Sequence, residues 1–86
     1  MTPAQVDTLL KALRSGRTFE DHNNYEHITT HYRWDATAGV FVLEHEGAPD
    51  ERWSGEWSEA ELRKIFLNWS TYETPEAFRR LMARLR

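Results

Sequence analysis

Along the chain, apolar residues recur with two different periods. Between Thr2 and Gly16 the spacing is helical, with Val6, Leu9, Leu10 and Leu13 at i, i+3, i+4 and i+7. Thr2 is the expected N-cap, Pro3 suits the first helical position, and Gln5 completes a capping box. Asp7 and Lys11, four apart, are expected to pair on the outer side, and Ser15-Gly16 ends the helix. From His27 to Glu46 the period is two, and the pattern predicts a β-hairpin. Its arms are His27–Trp34 and Val40–Glu46, joined through Asp35-Ala36-Thr37-Ala38-Gly39, with glycine where a positive φ is wanted.

Pairing Asp35 with Val40 puts Trp34 opposite Phe41 and Tyr32 opposite Leu43. Ile28, Tyr32, Trp34, Phe41 and Leu43 then share one face, and His27, Thr29, His31, Arg33, Val42 and Glu44 the other. Ahead of the hairpin, residues 17–20 read as a short strand and Asp21-His22-Asn23-Asn24 as a turn, with the first arm entered at Tyr25 or Glu26. After it come a turn at Gly47-Ala48-Pro49-Asp50 and a strand over Glu51–Trp57. That strand carries Trp53 and Trp57 on one face, and its register, hence which face, is open.

Two more helical stripes close the chain. Ser58 and Glu61 form a capping box ahead of Leu62, Ile65, Phe66 and Trp69, with Leu67 off the stripe and exposed. The segment Asn68–Glu73 ends that helix. Thr74-Pro75 opens another, with Phe78, Leu81, Met82 and Leu85 inward. The expectation is one α+β domain over residues 1–86. It holds an antiparallel sheet of three strands, or four if 17–20 joins, with one N-terminal and two C-terminal helices packed on one face.

A chain of 86 residues buries only about 60–65% of its unfolded surface, so its core must be dense or completed by a partner. Four Trp, three Tyr and four Phe supply large area per residue. Cysteine is absent, which removes disulfides, thiolate metal sites and thiol nucleophiles. The N-terminus has no basic or apolar leader pattern, and the apolar run Val40–Leu43 is too short for a bilayer, so a cytoplasmic protein without membrane attachment is expected.

The net charge of −3 disfavours non-specific nucleic-acid binding. The charges are polarised: residues 44–61 carry Glu44, Glu46, Asp50, Glu51, Glu56, Glu59 and Glu61 against Arg52, whereas 79–86 carry only arginines.

Four constellations bear on chemistry. His22, His27, His31 and His45 cluster early. On a strand, however, His27 and His31 lie about 13 Å apart, and His45, opposite Thr30, faces the other way. No metal site is expected, although Glu44 could meet an imidazole. Glu44, Glu46, Glu51 and Glu56 supply carboxylates, but no nucleophile, phosphate-loop or dinucleotide motif accompanies them, so neither catalysis nor a cofactor nor a small-molecule substrate is expected. Arg79, Arg80, Arg84 and Arg86 lie off the last apolar stripe and would form the contact face of a nucleic-acid-binding regulator. Trp53, Trp57, Trp69, Tyr25 and Tyr72, with Leu67, exceed what the stripes need, and aromatics anchor interfaces. The favoured reading is a small non-catalytic protein-binding module, an inhibitor, adaptor or antidote-type regulator, or a homodimer. Its surface would be the acidic sheet with its tryptophans, Glu44 and Glu56 included; the arginine face is the alternative.

Overall fold

The computed structural model describes residues 1–23, 27–47 and 51–86. The turn at Asn24, the entry at Tyr25 or Glu26, Tyr25 as a contact residue and the turn over Ala48-Pro49-Asp50 lie outside the described residues. The elements run α1 (Pro3–Arg14), β1 (Phe19–Asn23), β2 (Ile28–Asp35), β3 (Val40–Gly47), β4 (Glu51–Trp57), α2 (Glu59–Leu67) and α3 (Pro75–Ala83). The strands form one antiparallel sheet in the order β1-β2-β3-β4. This is the expected α+β fold, with the fourth strand present.

The β2–β3 hairpin has the register expected from the aromatic pattern: Asp35 pairs with Val40, Trp34 with Phe41, Tyr32 with Leu43 and Thr30 with His45. Asp35 fixes the turn. Its Oδ1 accepts from the Thr37 and Ala38 amides at 3.0 and 3.1 Å, and its carbonyl accepts from Gly39 N at 2.8 Å. Gly39 has φ +70°, a conformation that costs a residue without Cβ nothing.

The preceding segment differs from expectation. The strand expected over 17–20 is present but shifted: β1 runs Phe19–Asn23, keeping Phe19 and Glu20, and Asp21, His22 and Asn23 are paired residues rather than a turn. Asp and Asn are poor strand formers, and tertiary partners override that preference. Phe19 stacks on Tyr32 across the strand pair, with ring centroids 4.5 Å apart, and Asp21 accepts from the Tyr72 hydroxyl at 2.8 Å. His27 is not in the hairpin arm either: it sits just before β2 with φ +56°.

All three helices start as their caps dictate. Thr2 and Gln5 bond reciprocally, and Thr74 accepts from the Ala77 amide. Ser58 accepts from the Glu61 amide, while the Glu61 carboxylate takes the Ser58 hydroxyl instead of closing the box on the backbone. Asp7 does not pair with Lys11 but with Arg63 of α2, and Arg14 pairs with Glu59. Those two pairs occur in reversed order along the helices, as α1 runs antiparallel to α2.

The core is Val6, Leu9, Leu10 and Leu13 of α1, Leu62 and Phe66 of α2, Leu81 and Leu85, against Phe19, Tyr32, Phe41 and Leu43 of the sheet. Helix α2 stops at Leu67 and α3 at Ala83, so Trp69 and Leu85 reach the core from beyond the helix ends. The last residue, Arg86, exchanges two backbone hydrogen bonds with Thr18, at 2.8 and 3.0 Å, beside the start of β1.

Candidate functional site

Strand alternation decides what each residue of β4 can do. Phe41 pairs with Trp57, Leu43 with Gly55 and His45 with Trp53. Residues opposite one another in an antiparallel pair share a face, so Trp53 and Trp57 lie on the helix-covered, aromatic side. The second apolar surface of Val40, Val42, Trp53 and Trp57 therefore does not form.

Trp57 is half-buried and packs against the core. Trp53, further from the helices, is 45% exposed, the larger of two exposed bulky apolar side chains among the described residues; the other is Leu67 at 39%. The Trp53 ring centroid lies 5.1 Å from that of Trp57, edge-on at 75°, and 4.8 Å from the His45 ring. His45 Nδ1 is in turn hydrogen-bonded to Thr30 Oγ1 at 2.9 Å, which orients the imidazole that supports Trp53. Both indoles lie over Gly55, where a Cβ would come within 2.2 Å of Trp57 and 2.5 Å of Trp53. The result is an aromatic ridge along β4, a strand at the margin of the sheet.

The acidic residues occupy the other side. Glu44 and Glu56 share the helix-free face with Glu20, His31, Arg33, Val42, Glu46 and Ser54. The expected single surface of carboxylates and tryptophans is thus divided between two faces. On the helix-free face several of these side chains pair with one another. Glu44 does not meet an imidazole; it accepts from Arg33 Nε at 3.3 Å. His31 instead lies between Glu20 at 3.2 Å and Glu46 at 3.9 Å, a contact made possible by β1. Val42 is buried on that face, and around it Arg33, Asp35, Glu44, Ser54 and Glu56 line an open polar depression of about 700 Å³. Among the described residues no three His, Asp or Glu side chains converge as metal ligands would.

Two expected contact residues, Trp69 and Tyr72, are half-buried and pack against the core. The Trp69 ring is 4.9 Å from Phe66 and 5.8 Å from Tyr32, edge-on to the latter. Tyr72 donates to Asp21, while Arg84 donates to the Tyr72 hydroxyl at 3.1 Å and lies over its ring. Burial, and then the hydrogen bond to the Asp21 carboxylate, raise the Tyr72 pKa above its ordinary value, with Arg84 opposing. Tyr32 is raised further by burial and by the nearby Asp21 charge.

The arginines are dispersed. Arg80 pairs with Glu76 at 2.6 Å, Arg84 is held on Tyr72, Arg86 is fixed through its backbone, and Arg79 is exposed. No helix among the described residues is long and apolar enough to cross a membrane.

The division of Trp53 from Glu56 was available from spacing alone, since residues an odd number apart on a strand point to opposite faces. Gly55 between two tryptophans was the second overlooked signal, because a strand glycine marks a close approach. Compared with protein-family models, with curated proteins and with solved structures, the chain matches none of them.

Proposed function

We propose that the protein is a small non-catalytic protein-binding module whose contact surface is the aromatic ridge of β4, centred on Trp53. The observation that supports this reading is the large exposed indole held in a fixed pose. Trp53 is 45% exposed yet braced by Trp57 and His45. A bulky apolar group in water gains free energy when a partner covers it, and a pre-oriented one loses little side-chain freedom on binding. Trp is also the residue type most enriched among energetically dominant interface positions. Leu67 is a second exposed apolar group. The arginine alternative gains nothing from the geometry, since Arg80 is neutralised and Arg84 is occupied by Tyr72.

The test compares the wild-type chain with Trp53→Lys by chemical cross-linking and mass spectrometry, in cells and after purification. The expected result is that cross-links from β4 to other polypeptide chains, of this or another protein, disappear in the variant while its melting temperature is preserved. Retention of the same cross-links in a folded Trp53→Lys protein overturns the reading.

A further inference from the structure

The sheet has two margins, and they are finished differently. At β1, Thr18 and Arg86 exchange backbone hydrogen bonds beside the start of the strand, and the Tyr72 hydroxyl bonds to Asp21. At β4, no backbone group among the described residues pairs with the outer side of the strand. An unpaired strand edge is a template for another strand. Trp53, Ser54 and Glu56 on it are exposed.

The sequence of β4 is self-complementary. It reads Glu51-Arg52-Trp53-Ser54-Gly55-Glu56-Trp57. An antiparallel pairing of two copies about a twofold axis normal to the sheet keeps the helices of both copies on one side. It also places residues of equal parity opposite each other. Centred on Ser54, it brings Arg52 opposite Glu56 of the partner subunit, and by symmetry does so twice. Opposite charges directly across a strand pair are favourable, and like charges unfavourable.

The same register sets Trp53 opposite Gly55 of the partner subunit, over which that copy's own Trp53 and Trp57 rings lie, and so joins the two Trp53–Trp57 pairs into one strip. Centring on residue 53 or 55 moves Glu56 opposite residue 50 or 54 and loses both charge matches. Only the Ser54 centre aligns charge and aromatic pattern together.

We propose that the occupant of the β4 edge is a second copy of this chain, paired antiparallel through β4 about Ser54 to give a continuous eight-stranded sheet. This rests on the reading of Trp53 as a contact residue and names its partner. The absence of cysteine from the chain makes the register directly measurable. Residues opposite one another across an antiparallel pair have Cα atoms about 4.5–5.5 Å apart, within disulfide reach. Two copies of residue 56 would be about 13 Å apart along the strands, out of reach.

The experiment is light scattering of the wild-type chain over a concentration series, with oxidative cross-linking of Ser54→Cys and Glu56→Cys. It is completed by the charge variants R52E, E56R and R52E/E56R. The expected outcome is twice the 10.2 kDa chain mass, a disulfide dimer from Ser54→Cys and none from Glu56→Cys. E56R or R52E alone should weaken the dimer roughly tenfold, since each places like charges opposite one another twice, and the double variant should restore it. A wild-type monomer with no Ser54→Cys cross-link overturns the second copy as occupant. If Trp53-dependent cross-links to a different protein persist in that case, the binding-module reading stands without it; if none persist, both fall. A dimer indifferent to the charge variants overturns this edge and register.

Discussion

Trp57 lies across the space that a side chain at Gly55 would fill: a Cβ there would sit 2.2 Å from its ring. Trp53 closes the same space from the other side at 2.5 Å. The glycine is what allows two indoles to meet edge-on along one strand. Gly55→Ala is expected to destabilise the fold by about 1–3 kcal/mol, the usual result of forcing atoms into a filled site. The smaller backbone-entropy gain of replacing glycine, about 0.5–1 kcal/mol, does not offset this. Urea unfolding followed by tryptophan fluorescence checks it, and the near-ultraviolet circular dichroism of the indole pair should change with it.

Trp53 and Trp69 are the same residue type in different surroundings, one exposed and one packed on the core, and truncation should separate them. Trp69 packs on Phe66, Tyr32 and Phe19, so Trp69→Ala is expected to cost about 3 kcal/mol or more. That is a large share of the roughly 5–15 kcal/mol that holds a small domain together. Trp53→Ala should cost no more than about 1 kcal/mol, because nearly half of the side chain is already in water. Equal losses at both positions would show that Trp53 belongs to the core.

That contrast marks how far the sequence can be read. The hairpin register was legible because a slip of one residue would scatter Tyr32, Trp34, Phe41 and Leu43 over both faces. The helix starts were legible because Thr2, Ser58 and Thr74 each satisfy a specific orphan amide. Of the first strand only Phe19 and Glu20 were legible; the rest was not, since Asp21-His22-Asn23 carries no strand preference of its own and is held by Tyr72, 51 residues from Asp21. For the candidate site, the pairing of Trp53 and Trp57 on one face followed from the period of two. Which tryptophan stays exposed did not, because it depends on where α2 stops covering the sheet.

The α1–α2 charge pairs invite a quantitative check. Arg63 and Asp7 are partly exposed, at 37% and 61% of their side-chain surfaces, as are Arg14 and Glu59. Exposed ion pairs of this kind couple by about 0.2–1 kcal/mol and are screened by salt. A double-mutant cycle on Asp7→Asn and Arg63→Gln should give a coupling in that range that shrinks at high salt. A larger, salt-insensitive coupling would mean that the pair positions α2 rather than merely decorating it.

The last expectation concerns alkaline pH. Burial, with the Asp21 charge added, raises the Tyr32 pKa, and burial with the Asp21 hydrogen bond raises that of Tyr72. In the unfolded chain both phenols titrate near their ordinary value of about 10. The folded state therefore holds these protons more tightly than the unfolded state above that pH. Stability falls wherever the folded state binds more protons as pH rises. The contribution of the two tyrosines is thus complete below pH of about 10 and is lost progressively above it. Tyr32→Phe keeps the stack on Phe19 and removes one titrating group, and Tyr72→Phe removes the other along with its bonds to Asp21 and Arg84. Tyr72→Phe should cost about 1–2 kcal/mol at neutral pH, the worth of a partly exposed hydrogen bond to a carboxylate. The double variant should then show a shallower alkaline loss of the urea midpoint than wild type. An unchanged alkaline slope would place the pH dependence on groups other than this pair.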